Sequence, residues 1–299
     1  TLYEAPLAME KEHLADVVCE KLNLECPAPD ITEWQSMVDN IKHLEKDVTV
    51  ALVGKYTSLH DAYISVVESL KHGGFAHKCN VNIKWVPSEE LTPENVGKIL
   101  GDACGILVPG GFGDRGIDGK IAAIQYAREN NVPFLGLCLG MQLAIVEFSR
   151  HVAGFHDAHS IELDPQTTHP VIHLMHEQDG VEDIGGTLRL GSYPCVLDNA
   201  SKAYSLYGVE TIHERHRHRY EVNNYYRDEL AKNGMLFSGL SPDGRIVEMC
   251  ELPDHPWFIA TQAHPEFKSR PNRPHPLFKG FINAALEYQG RQHTQNGGL

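Results

Sequence analysis

The sequence predicts an α/β chain with a doubly wound, mostly parallel central sheet flanked by helices. Three observations predict it: short, almost wholly apolar runs begin at Val48, amphipathic helical stretches alternate with them, and turn residues separate the two. A strand apolar along its whole length, rather than at every second residue, is covered on both faces. Helices between successive strands are what parallel connections require.

The elements follow in order. Residues 48–53 read as the first strand, and 61–75, with apolar residues at helical spacing, as a helix. The pattern repeats: strand 81–86, helix 93–100, strand 105–108, helix 120–130, strand 132–137, helix 139–148. After about Ser149 it gives way to shorter, β-rich and loop-rich segments, including 185–193, 235–238 and 245–252, before a last helix over 277–288. Residues 1–46 read differently. Helical spacing over 16–24 is broken by Cys26-Pro27-Ala28-Pro29-Asp30 and resumes, polar and amphipathic, over 32–44. The predicted organisation is therefore an arm or linker over 1–46, one domain over 47–290, and a polar, glycine-rich, frayed tail over 291–299.

Composition narrows the function classes. The 299 residues are 42% hydrophobic and 22% charged, ordinary for a globular chain. The longest apolar runs, 48–53 and 132–137, fall far short of the roughly 20 residues of a membrane helix, and no charged-then-apolar leader opens the sequence. No membrane association and a cytoplasmic location are expected. A formal net charge of -14 repels a phosphate backbone, which argues against nucleic acid as a partner. The seven cysteines are scattered, with no Cys-x-x-Cys pair, which suits a reducing compartment.

The sharpest local signal is Val132-Pro-Phe-Leu-Gly-Leu-Cys138-Leu-Gly-Met-Gln142, a cysteine between a buried strand and a helix with Gly136 and Gly140 at minus two and plus two. Glycines on both sides permit the cramped turn of a nucleophile elbow, and a helix N-terminus favours a thiolate. A buried structural thiol is the competing reading. A base and an orienting carboxylate are offered by His264-Pro265-Glu266, because residues two apart in extended chain share a face and Pro265 biases His264 toward that conformation. Donors for an oxyanion are offered by Gly105-Ile-Leu-Val-Pro-Gly-Gly-Phe-Gly113: the N–H of Gly111, or of Phe112, together with that of Leu139. The same stretch formally matches a dinucleotide fingerprint, Gly111-x-Gly113-x-x-Gly116, although it does not follow the first strand and Pro109 precedes it. No P-loop motif occurs. The stretch Glu214-Arg215-His216-Arg217-His218-Arg219 concentrates cationic side chains in an acidic chain. As a metal site it lacks a suitably spaced Asp or Cys, and its arginines repel a cation, so no metal is expected; a solvated face and a carboxylate-binding cleft both remain open.

Together these residues resemble the class I (triad) glutamine amidotransferases, whose Pro-Gly-Gly turn, Gly-x-Cys-x-Gly elbow and late His-Pro-Glu occur here in that chain order. Within that class the sequence is most similar to the CTP synthase family, through Pro109-Gly-Gly-Phe-Gly-Asp-Arg-Gly116, Leu137-Cys-Leu-Gly-Met-Gln142, Arg215-His-Arg-His-Arg-Tyr-Glu-Val-Asn-Asn224 and His255-Pro-Trp-Phe258. The resemblance implies a flavodoxin-like fold and hydrolysis of L-glutamine to glutamate and ammonia through a γ-glutamyl thioester. It implies Cys138, His264 and Glu266 as catalytic residues and Gly111 and Leu139 as the oxyanion hole. Glutamine would be lined by Gly111, Phe112, Leu139 and Gln142, with Glu162 at its α-amino group and Arg219 at its α-carboxylate. It further implies a cofactor-free glutaminase domain serving a synthetase domain that uses ATP, UTP and Mg2+ to make CTP, in a homotetramer activated by GTP. That synthetase domain is absent here, and residues 1–46 resemble the connector that follows it. A stand-alone γ-glutamyl hydrolase or peptidase of the same fold is the alternative. Two positions depart from the family: His159-Ser-Ile-Glu162 stands where Asn-Ser-Thr-Glu is common, and Ala263 where phenylalanine usually precedes the histidine.

Overall fold

The computed structural model describes residues 1–174 and 188–296. Three helices, α1 (Ala5–Lys11), α2 (Leu14–Leu22) and α3 (Thr32–Lys42), precede the first strand. The alternating part then runs β1 (Lys46–Gly54), α4 (Ile64–Phe75), β2 (Cys79–Pro87), α5 (Val96–Leu100), β3 (Gly105–Val108), α6 (Ile117–Glu129), β4 (Phe134–Leu137) and α7 (Leu139–His151). Each expected element of this half is present. The later half holds β5 (His159–Ser160), β6 (Pro170–Leu174), β7 (Arg189–Leu197), α8 (Lys202–Tyr207), β8 (Thr211–His218), β9 (Tyr220–Val222), α9 (Arg227–Lys232), β10 (Leu236–Leu240), β11 (Val247–Glu251), β12 (Phe258–Thr261) and α10 (Pro276–Asn296).

Among the described residues one sheet has nine strands in the order β2-β1-β3-β4-β12-β11-β10-β7-β8. The first five are mutually parallel, and the last four extend them antiparallel. A smaller sheet, β5-β6-β9, stands apart. Alternate residues of the parallel strands feed two cores: Ala51, Val53, Ile106, Val108 and Phe134 pack with α6 and α7, while Val50, Leu52, Leu107 and Leu135 pack with α4 and α10. This two-sided burial is why the strands read as continuous apolar runs.

The tail behaves differently from the sequence reading. Nothing between Tyr288 and Asn296 breaks a helix except Gly290, a modest cost, so α10 runs on past residue 288. Residues 297–299 of that tail and the start of the expected β segment 185–193 lie outside the described residues.

Register decides where the chemistry sits. Phe134 pairs with Phe258 and Leu137 with Thr261 across β4 and β12, and the two phenylalanine rings stack at 4.5 Å, a pair worth about 0.5–1.5 kcal/mol beyond its buried area. Both strands therefore end level, and Val108 of β3 ends beside Gly136. The segments that follow all emerge at the carboxyl edge of the parallel strands, where α/β folds hold their ligands.

Candidate active site

Cys138 stands between β4 and α7 with φ 51° and ψ −102°, a backbone conformation that side chains rarely adopt and that costs on the order of 1–3 kcal/mol. The surrounding structure enforces it: the Cys138 N–H donates to the Thr261 carbonyl at 2.8 Å, and the Cys138 carbonyl accepts from Met141 and Gln142 in the helix. The strain sits in the cysteine itself. Its flanking glycines serve close approach instead, since a Cβ on Gly140 would lie 2.1 Å from the Val108 carbonyl oxygen. Leu139 opens α7, so its N–H has no acceptor within the helix.

His264 follows β12 by three residues, and its own N–H donates to the Arg215 carbonyl of β8 at 2.7 Å. Its Nδ1 lies 2.8 Å from Glu266 Oε1, so the carboxylate fixes the tautomer and the other ring nitrogen is left for the sulfur. Burial opposes a charge on this ring, but the Cys138 sulfur and the Glu266 carboxylate outweigh it and raise the imidazolium to about 10. The stabilisation this gives the fold is fully present below the unfolded histidine value of about 6.5 and is lost as pH rises through about 10. Phe267 stacks on the imidazole at 5.6 Å. That ring supplies packing for His264 beside the buried Ala263, where the sequence left it in question.

Gly110 bridges the two: a Cβ there would meet His264 Cε1 at 3.0 Å and Cys138 Cβ at 3.4 Å. The Pro-Gly-Gly turn thus lies against Cys138 and His264. Two hollows meet at Cys138. One is lined by Tyr63, Gly110, Gly111, His264, Glu266 and Phe267 among others. The second collects Gly111, Phe112, Leu139, Gln142, Glu162 and Arg219, every residue that the sequence reading assigned to glutamine, together with Arg217, His218 and Tyr220. Here burial pushes the Glu162 carboxyl up while Arg219 and Lys55 pull it down. The Arg219 Nε is buried without a hydrogen-bond partner. An acid and a guanidinium facing one hollow suit a zwitterion. Another hollow, beside Asn131, Asp254 and Pro256, lies at the opposite end of the parallel strands and contains no nucleophile.

The Arg-His segment resolves into strand alternation. Along β8, Ile212, Glu214, His216 and His218 point inward and Thr211, His213, Arg215 and Arg217 outward. Burial lowers His216 and His218 far below the ordinary histidine value, the latter to about 3, so only the arginines carry charge. The fold also supplies the acid that sequence spacing did not: donor atoms of His216, His218 and Glu248 lie within 4.8 Å of one another, all buried. A metal is nevertheless disfavoured, because Arg189 Nη1 sits 2.6 Å from Glu248 Oε1 and 3.4 Å from His216 Nδ1, where a cation would stand. Sequence reasoning missed Arg189, Glu248 and Gln262. The last was detectable as a polar residue at a buried strand end, two before His264.

The family described as glutamine amidotransferase class-I matches residues 58–284. CTP synthase of Geobacillus kaustophilus is 58% identical over 96% of this chain, and that of Clostridium acetobutylicum 59% identical over 95%. The chain spans about half the length of these curated relatives, 54% and 53%. A solved structure, the glutaminase domain of Trypanosoma brucei CTPS with bound acivicin, superposes with a TM-score of 0.76 at 40% identity, covering 80% of this chain and 94% of that one.

Proposed function

The chain belongs to the class I glutamine amidotransferase family, and from that premise we propose that it hydrolyses L-glutamine to glutamate and ammonia through a γ-glutamyl thioester on Cys138. The observation that carries the reading is the strained Cys138 elbow with the His264–Glu266 pair beside it. In the first step the thiolate attacks the γ-carboxamide carbon, and the negative oxygen is held by the Gly111 and Leu139 N–H groups. His264 gives its proton to the departing ammonia. Water then attacks the thioester, with His264 taking its proton, and the thiolate is regenerated as glutamate leaves. Glu266 keeps the imidazole in the tautomer both steps need. Glu162 receives the α-ammonium and Arg219 the α-carboxylate, in a hollow walled by Phe112 and by the Arg217 guanidinium 5.7 Å over its ring.

The relatives' names extend the reading. The ammonia would serve a synthetase domain that aminates UTP to CTP with ATP and Mg2+, in a GTP-activated homotetramer; this domain itself requires no cofactor. Residues 1–46 would be the arm between the two domains and 47–290 the glutaminase. Exposed Leu14, Val17, Val18 and Leu22 on α2 support an arm that another surface covers. Among the described residues no helix is long and apolar enough to cross a membrane.

The test is ammonia release from L-glutamine, run beside a γ-glutamyl peptide and with acivicin labelling followed by peptide mapping. Release from glutamine with label on Cys138 is the expected result. Turnover of the peptide but not of glutamine would favour the stand-alone hydrolase, and neither turnover nor label would overturn the reading.

A further inference from the structure

Gln262, the first residue after β12, is completely buried, and its side chain lies between the nucleophile and Gln142. Gln142 Nε2 is 3.1 Å from the Tyr220 carbonyl oxygen and 3.2 Å from Gln262 Oε1, while Gln262 Nε2 is 3.6 Å from Cys138 Sγ. The directions of these bonds are forced from one end. A backbone carbonyl only accepts, so the Gln142 atom facing Tyr220 is its NH2 group, and flipping that amide would set oxygen against oxygen. The same NH2 donates its other hydrogen to Gln262. With its oxygen committed as acceptor, Gln262 turns its own NH2 to the sulfur.

Besides His264, the sulfur faces the Arg217 carbonyl at 3.9 Å, an acceptor that helps a thiol and opposes a thiolate. His218 reinforces the origin of the chain, its Nδ1 lying 3.0 Å from the same Tyr220 carbonyl. The backbone of Gln262 is held as well, its N–H donating to the Glu248 carbonyl at 2.8 Å.

We propose that Gln262 is a positioning residue that donates a hydrogen bond to the Cys138 thiolate, its amide oriented by Gln142 and ultimately by the Tyr220 carbonyl. A consequence for specificity comes with it. Both hydrogens of the Gln142 amide are used inside the protein, so only its oxygen faces the substrate, and Gln142 reads a donor on glutamine rather than an acceptor. The inference rests on Cys138 being the nucleophile of the proposed glutaminase.

The experiment is the pH profile of Cys138 alkylation by iodoacetamide, read by peptide mass spectrometry so that the other cysteines do not interfere. It is run on the parent, Gln262→Met and Gln142→Met. Methionine keeps the length of the side chain and removes the donor. The expected result for Gln262→Met is a profile displaced upward by about one pH unit, about tenfold slower alkylation near neutral pH, and a matching fall in kcat with KM for glutamine changed less than about twofold. Gln142→Met, which frees the Gln262 amide to turn, displaces the profile in the same direction and also raises KM. Should Gln262→Met fail to fold, as judged by thermal melting, the Gln142→Met profile decides alone. Profiles that overlay the parent's would overturn the proposal. Because alkylation needs no glutamine, a displaced profile in a chain that neither releases ammonia nor takes the acivicin label would refute the glutaminase reading and leave the hydrogen bond standing.

Discussion

Cys138→Ala is expected to reduce ammonia release from L-glutamine by about 10⁴-fold or more while glutamine binding stays within a few-fold. The sulfur is the atom proposed to carry the acyl group, and among the described residues no second cysteine lines either hollow that meets it. Binding is spared because the groups assigned to the amino acid's head, Glu162 and Arg219, belong to other segments of the chain. Alanine also keeps the positive φ, so the elbow is not relieved and any loss is chemical. One side effect separates this from simple misfolding. The sulfur is among the groups that hold His264 protonated, so in the variant the stabilisation from that imidazolium should fade at a lower pH than the parent's value of about 10. Isothermal titration with glutamine, steady-state turnover and alkaline melting curves measure the three parts. Turnover retained in the variant would remove Cys138 from the mechanism.

Arg219→Ala is expected to raise KM for glutamine by about 10²-fold, with a smaller effect on kcat. Truncating one partner of a desolvated charge pair costs about 2–5 kcal/mol, largely because the other charge is left buried and unpaired, here the substrate α-carboxylate. The buried, unpartnered Nε of Arg219 is the structural ground for assigning that pairing. Arg219→Lys should recover only part of the loss, since an ammonium cannot reproduce a planar two-donor fork. The discriminating measurement pairs each variant with the amide of γ-aminobutyric acid, which lacks the α-carboxylate. If Arg219 reads that group, the parent discriminates strongly between the two substrates and the alanine variant hardly at all. Equal penalties on both substrates would instead mean that Arg219 supports the site by packing.

The two halves of the chain differed in how readable they were. From β1 to α7 the inner strands β1, β3 and β4 are largely buried on both faces and helices alternate with them, so hydropathy marks every element, and the expected ends lie within about three residues of the observed ones. Beyond Ser149 the strands vary in length, run mostly antiparallel and include some buried on one face only, and periodicity loses its grip. Strand β8 is the instructive case. Its polar inward residues, Glu214, His216 and His218, made a buried-face pattern look like a charge cluster, because a histidine carries no mark in the sequence of whether it will be neutral. The residues proposed as catalytic stood out because each occupies a short motif at a strand end, and the fold brings them together. Gln262 was not, since its part depends on hydrogen-bond directions fixed by Tyr220 and Gln142, far away in sequence. Glu248 was missed for the same reason: its neighbours Arg189 and His216 reach it only through the fold.

Among the described residues strand β8 is one of the two border strands of the nine, and the backbone of His264 hangs from it through Arg215. A sheet comes apart most readily at its border, where each strand has one neighbour instead of two. Cys138, by contrast, is bolted to the sheet's interior, following β4 and bonded through its N–H to Thr261 of β12. Cys138 and His264, the proposed thiol and base, therefore belong to regions of unequal local stability. A fluctuation that peels back only the border could uncouple base from thiol while the core remains intact, so the enzyme's half-life as a catalyst and its half-life as a folded chain are separate quantities.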